Sequence, residues 1–143
     1  MFRTVLVGTD GSARAGRAVQ EAIDVAKSEG ARLHLVAAYG KHERHWEEIE
    51  SSARVGTVDL RQVAEGVLAR EGRRAEEQGV EVEWSAREGD PAEAILEAAV
   101  DVDADLIVVG NKGMASGKRF FLGSVPNKVS HHAPCSVMVV RTD

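Results

Sequence analysis

Apolar residues along this chain switch repeatedly between short continuous runs and helical spacing. Thr4-Val5-Leu6-Val7-Gly8-Thr9 reads as a buried strand and gives way to the turn formers Asp10-Gly11-Ser12. Ala15, Ala18, Val19, Ala22, Ile23 and Ala26 then recur at helical spacing until Gly30, and a second strand follows from Leu33 to Ala38. A hydrophilic stretch from Lys41 to Asp59 interrupts the pattern, after which Leu60, Val63, Ala64, Val67 and Leu68 begin a helix that fades near Gly79. Val80-Glu81-Val82-Glu83-Trp84 alternates as a half-buried third strand should. Gly89-Asp90-Pro91-Ala92-Glu93 is a helix start, with Asp90 as cap, Pro91 in the first turn and Glu93 placed to reach back as in a capping box. That helix is expected to reach about Val102. Leu106 to Val109 forms a fourth strand, Ser124 to His132 a fourth helix with Pro126 in its first turn, and Ser136 to Val140 a fifth strand.

The resulting order, βαβαβαβαβ, predicts an α/β fold: a parallel sheet with helices on both faces. The first and fourth strands carry the most continuous apolar runs and belong at its centre. Ligands in open sheets of this kind bind outside the carboxyl ends of the strands where the winding reverses. Asp10 and Gly110 are therefore expected to face one crevice. With 143 residues, 43% hydrophobic and 29% charged, the chain suits one domain spanning 1–143. Eighteen basic against 23 acidic residues give a formal charge of −5, which disfavours broad binding to nucleic acid or an anionic membrane. No apolar segment approaches the roughly 20 residues that cross a bilayer. A single cysteine, Cys135, and a start that runs straight into a strand predict a cytoplasmic protein.

The richest chemistry lies directly after the fourth strand, in Gly110-Asn111-Lys112-Gly113, nine further residues, then Gly123-Ser124. A strand that breaks into a glycine-spaced loop and re-enters a helix at a Ser cap presents backbone N–H groups to phosphate. Tight packing alone is the plainer explanation of these glycines, but a loop of this length without structure of its own is usually functional. Asp10 is placed to make an Asx turn, to cap the first helix or to meet a ligand. Lys118 and Arg119 lie within the loop, equally suited to a terminal phosphate and to solvent. His42, His45 and Glu48 share a three-residue step, yet sit among so many charges that no metal ligation by side chains is expected. His131-His132 complements a helix C-terminus and takes no catalytic role, Cys135 packs as a small apolar thiol, and Trp84 packs in the core or at an edge. Trp46 covers apolar surface or meets a partner.

These motifs resemble the universal stress protein family over essentially the whole chain. The nucleotide-binding members carry glycine, two residues, glycine, nine residues, glycine and Ser or Thr, matched here by Gly110, Gly113, Gly123 and Ser124. Val7-Gly8-Thr9-Asp10-Gly11-Ser12 is similar to the family's first strand and acidic loop, and Gly89-Asp90-Pro91 to its third-helix entry. The resemblance implies a single-domain, Rossmann-like sheet of the adenine nucleotide alpha hydrolase type, five-stranded, parallel and ordered 3-2-1-4-5. It implies ATP binding, with Mg²⁺ as a companion of ATP, and AMP or cyclic AMP as alternatives. It places Asp10 near the adenosine, Ala37 in the adenine pocket, and Gly110, Gly113, Gly123, Ser124 and Val125 around ribose and phosphates. With the flanking strand ends, the nucleotide site comprises Gly8, Thr9, Asp10, Ala37, Val109, Gly110, Asn111, Gly113, Gly123, Ser124 and Val125.

The expected function is a stress-response or signalling regulator that holds an adenine nucleotide without efficient turnover, since no Gly-Lys-Ser/Thr ending accompanies the loop. Two alternatives stand beside it: a slow Mg²⁺-dependent ATPase using Asp10 with Lys118 or Arg119, and a dimeric interaction module with a vestigial pocket. A phosphoreceiver domain is disfavoured, because the third strand leads into Arg87-Glu88-Gly89 without the phosphoacceptor Asp and its acidic and basic partners. The apolar edge Val137 to Val140 predicts a homodimer through the last strand, as the resemblance also implies.

Overall fold

Parallel strands alternate with helices in the computed structural model, which describes residues 1–40, 59–112 and 122–143. The elements are β1 (Thr4–Gly8), α1 (Ala13–Glu29), β2 (Arg32–Tyr39), α2 (Leu60–Glu77), β3 (Val82–Glu88), α3 (Pro91–Asp101), β4 (Leu106–Gly110), α4 (Ser124–His132) and β5 (Ser136–Val140). They build a five-stranded parallel sheet ordered β3-β2-β1-β4-β5. His42, His45, Trp46, Glu48, Gly113, Lys118 and Arg119 lie outside the described residues.

Each strand's two-residue period sorts its side chains between two apolar layers. Val5, Val7, Leu33, Leu35, Ala37 and Val108 pack beneath α1 and α2, with Val19, Ile23 and Leu68. Leu6, Val36, Ile107 and Val109 pack beneath α3 and α4, with Ile95, Ala98 and Val129. Covered on both faces, β1 and β4 bury four consecutive residues each, so they read in sequence as unbroken apolar runs. Winding proceeds outward from β1 through β2 to β3, then returns to β4 on the other side of β1. That reversal opens the crevice at the carboxyl ends of β1 and β4.

Helix entries follow their local chemistry, with two corrections. The Ser12 hydroxyl caps α1 by accepting the Ala15 N–H (3.1 Å), and Asp59 caps α2 by accepting those of Arg61 and Gln62 (3.0 and 3.3 Å). Asp90 accepts the Glu93 N–H (3.0 Å), but Glu93 does not close a capping box: its carboxylate takes Lys128 Nζ of α4 (3.0 Å). The cap of α4 is Gly123, and Ser124 is already its first helical residue.

A third correction concerns β3. Val80 is buried before the strand begins, and pairing runs from Leu33↔Val82 to Tyr39↔Glu88. An edge strand is set by the ladder of its single neighbour as much as by its own apolar alternation. Trp84 is 41% exposed and lies over α2, where a Cβ at Gly72 would stand 3.1 Å from its Cδ1.

His34 in β2 is buried, and its Nε2 pairs with Ser85 Oγ of β3 at 3.0 Å. Burial and then the Arg87 cation push its pKa below the ordinary 6.5, against an opposing pull from Glu83. The neutral imidazole therefore contributes stability that is complete above pH 6.5 and is lost as pH falls through the folded-state value. His34→Gln is expected to flatten the decline in Tm between about pH 7 and pH 5. A decline as steep as the parent's in that window would show that His34 does not carry it.

Candidate functional site

The crevice is a cleft of about 410 Å³, within the range of small-molecule sites. Its base is the end of β1 and the turn after it. Thr9 N–H extends the ladder to the Val36 carbonyl (2.9 Å), Thr9 Oγ1 accepts the Gly11 N–H (3.1 Å), and Asp10 Oδ1 accepts the Ser12 N–H (2.9 Å). Asp10 thus makes the Asx turn while its residue lines the cleft, and Ser12 does the capping. Gly11 holds φ +84°, which lets the chain turn from strand into helix. At Gly8 a Cβ would fall 2.7 Å from Ile95 Cδ1, so the missing side chain leaves room for the cleft itself.

One wall is apolar, formed by Val36 and Ala38 of β2, Ala94 and Ile95 of α3, and Val109 of β4. Ala37, the expected adenine-lining residue, is not in it. Its side chain is buried on the opposite face of the sheet, beneath α1 and α2, because neighbours along a strand point to opposite sides. Val36 and Ala38, on either side of it, line the cleft.

Facing this wall is the start of α4, where Ser124, Val125 and Pro126 line the cleft. Gly123 N–H donates to the Asn111 carbonyl (3.0 Å), bringing the two ends of the glycine motif together. Helical first-turn N–H groups lack partners within the helix, and Pro126 has none to offer. Among the described residues no side chain caps this end, and no acid lies in its first turn, so the N–H groups of Ser124 and Val125 and the positive end of the helix dipole suit an anion. Asn111 does not line the cleft. Its N–H continues the β5 ladder to the Val140 carbonyl (2.7 Å), and its Oδ1 accepts the Thr142 N–H (2.9 Å).

The lining also includes Ser12, Arg14 and Lys112, which the motif reading passed over. Lys112 was visible only as a spacer between two glycines, and Ala38 only as the residue next to Ala37. Lys112 Nζ pairs with Asp143 Oδ2 at 2.9 Å. Cys135 is half-buried, and its thiol is pushed up by burial and then by Asp105, which favours the unreactive form. Among the described residues no group of three His, Cys, Asp or Glu side chains converges on a metal-sized site, and no helix is long and apolar enough to cross a membrane. A larger groove, about 700 Å³, lies between α1 and α2 and is lined by Arg17, Arg70, Arg73, Arg74, Glu71 and Glu77. It lies along the helices rather than over the strand ends and lacks an apolar wall for a ring.

The model of the universal stress protein family matches residues 1–141. The chain is 37% identical over 143 residues to the universal stress protein in the QAH/OAS sulfhydrylase 3'region of Thermus aquaticus, covering 99% of this chain and 100% of the other. It is 31% identical over 153 residues to universal stress protein YxiE of Bacillus subtilis, with 99% and 100% covered. Among solved structures, it is similar to a universal stress protein crystallised in complex with cAMP, with a TM-score of 0.77, 31% identity and 99% of both chains covered.

Proposed function

Because the chain belongs to the universal stress protein family, we propose that its cleft binds an adenine nucleotide and that the protein is a cytoplasmic stress-response or signalling regulator. The observation that carries this reading is the meeting, in one cleft of about 410 Å³, of an apolar slot and a helix start that no side chain among the described residues caps. A flat aromatic base is matched by Val36, Ala38 and Ile95, where Gly8 leaves the space. The Asp10 carboxylate is a ribose-hydroxyl acceptor. Ser124 and Val125 supply N–H donors and Ser124 a hydroxyl for phosphate, with Gly110 beside them in the cleft lining. ATP is the ligand the glycine spacing favours, Mg²⁺ accompanying it, and AMP and cyclic AMP share the same determinants. The similar structure holding cAMP supports the adenine part of this assignment.

The same reading includes a homodimer through β5. This strand is an edge of the sheet, and Val139 on it is 40% exposed. An apolar edge with open backbone groups invites a second copy.

Native mass spectrometry of freshly purified protein, followed by calorimetric titration of the nucleotide-free form with ATP, AMP and cyclic AMP, tests both parts. The expected result is a dimer that retains or binds at least one of the three. A dimer indifferent to all would replace the nucleotide reading with that of an interaction module, and a monomer at micromolar concentration would remove the β5 interface.

A further inference from the structure

The segment after β5 is stitched onto the opening of the glycine motif. Asn111 Oδ1 accepts from both the N–H and the hydroxyl of Thr142 (2.9 and 3.2 Å), and Asn111 Nδ2 donates to Asp143 Oδ1 (3.3 Å). Thr142 is 1% exposed, and its carbonyl accepts from the Arg17 guanidinium of α1. At Gly110 a Cβ would stand 3.2 Å from the Thr142 methyl, so this packing too uses a missing side chain. The consequence is the position of Asp143, whose Oδ2 lies 2.9 Å from Lys112 Nζ.

Lys112 lines the cleft together with Gly110, Ser124 and Val125, yet its side chain is only 5% exposed. A lysine is seldom so buried without a counter-anion. A carboxylate oxygen at this distance makes the same charge-assisted contact with the ammonium that a phosphate oxygen would make. We propose that Asp143 sets the phosphate charge the cleft accepts: it is an internal counter-anion that keeps Lys112, a phosphate-binding group, neutralised. The inference rests on the nucleotide reading of the cleft.

A polyphosphate that reaches Lys112 exchanges one ammonium–oxyanion pair for another and leaves the Asp143 carboxylate beside its own negative charge. Lys112 therefore adds little to the affinity of the parent protein for a triphosphate, while Asp143 opposes it. The Lys112 bond and then the Asn111 bond hold the Asp143 carboxyl far below the usual carboxylate range, so this carboxylate keeps its charge through neutral and mildly acidic pH.

Calorimetric titration of the full chain with AMP, ADP and ATP tests this in the parent, Asp143→Asn, Asp143→Ser, and Lys112→Met combined with Asp143→Asn. Asn preserves the shape and the acceptor for Asn111, and Ser removes the charge in a smaller side chain. Both single variants are expected to raise the ratio of ATP to AMP affinity by about tenfold, with ADP between. The combined variant is expected to lose that gain. A ratio unchanged in both single variants, with the parent binding nucleotide, overturns this inference alone, as does a gain that survives Lys112→Met. Absence of nucleotide binding in the parent and all variants overturns the reading of the cleft and this inference with it.

Discussion

Gly8→Val is expected to weaken adenine-nucleotide binding by about a hundredfold or more while leaving the sheet assembled, a loss equivalent to about 2.7 kcal/mol. A Cβ at this position falls 2.7 Å from Ile95 Cδ1 and 3.0 Å from its Cγ1. Ile95 is 5% exposed and packed among the small residues of α3, so it has little freedom to retreat into the core. The remaining direction is the cleft, which the two valine methyls would also occupy. Overpacking of this kind costs about 1–3 kcal/mol of stability, which a small α/β domain tolerates. Calorimetry with ATP, AMP and cyclic AMP, alongside thermal melts by circular dichroism, separates the two effects. Parent-like affinity in a folded Gly8→Val protein would mean that the nucleotide does not use this wall.

That experiment bears on how far the site can be read from the chain alone. Seven of its expected residues, Gly8, Thr9, Asp10, Val109, Gly110, Ser124 and Val125, line one cleft although they come from three separate segments. Asp10 and Gly110 were legible because strand ends at a winding reversal must meet, and Ser124 because a glycine-spaced loop re-enters a helix there; the other four came from the family resemblance. Ala37 came from the resemblance alone, and its side chain lies on the sheet face away from the cleft, since a step of one residue along a strand exchanges the two faces. Asn111 and Gly123 belong to the same motif, but their main chains close the loop on itself and on β5 rather than line the cleft. The Asp143–Lys112 pair had no local signature at all. It depends on the β4–β5 register that sets Gly110 beside Val140, and only the assembled sheet brings the tail to the motif.

The fold shows the same division. Buried parallel strands such as β1 and β4 announce themselves as apolar runs, and helices by their caps and spacing. β3 announces only its first half, by the alternation through Trp84, because its last residues, Ser85-Ala86-Arg87-Glu88, are held by pairing with Val36 to Tyr39 and not by their own hydrophobicity. The 3-2-1-4-5 order came from family resemblance, whereas the physical pattern alone reached only the central placement of β1 and β4.

Arg74→Ala is expected to have the largest effect on stability, about 3 kcal/mol or more, because it strands a buried carboxylate. Glu71 in α2 is 5% exposed, and its Oε1 receives Arg74 Nη1 at 2.9 Å. The second guanidinium nitrogen of Arg74 crosses to α1, donating to the Gly16 carbonyl (2.7 Å) and Gln20 Oε1 (3.2 Å). Gln20 and Gln78 exchange amide hydrogen bonds beside it (2.9 and 3.1 Å). One planar fork thus joins two helices over the layer that supports β1 and β2. A loss of this size lowers Tm by roughly 10 °C in a chain of this length. Arg74→Lys is expected to fall between, since an ammonium cannot span Glu71 and the Gly16 carbonyl with the same rigid geometry. Glu71→Met combined with Arg74→Met is expected to be more stable than Arg74→Ala, because removing both partners leaves no buried charge uncompensated. A loss under about 1 kcal/mol in Arg74→Ala, the value of an exposed pair, would show that water satisfies Glu71 and that the guanidinium does not hold α1 against α2. Gly16 lies one turn beyond the Ser12 cap that borders the cleft, so this junction also fixes the helix from which the Asp10 turn is hung.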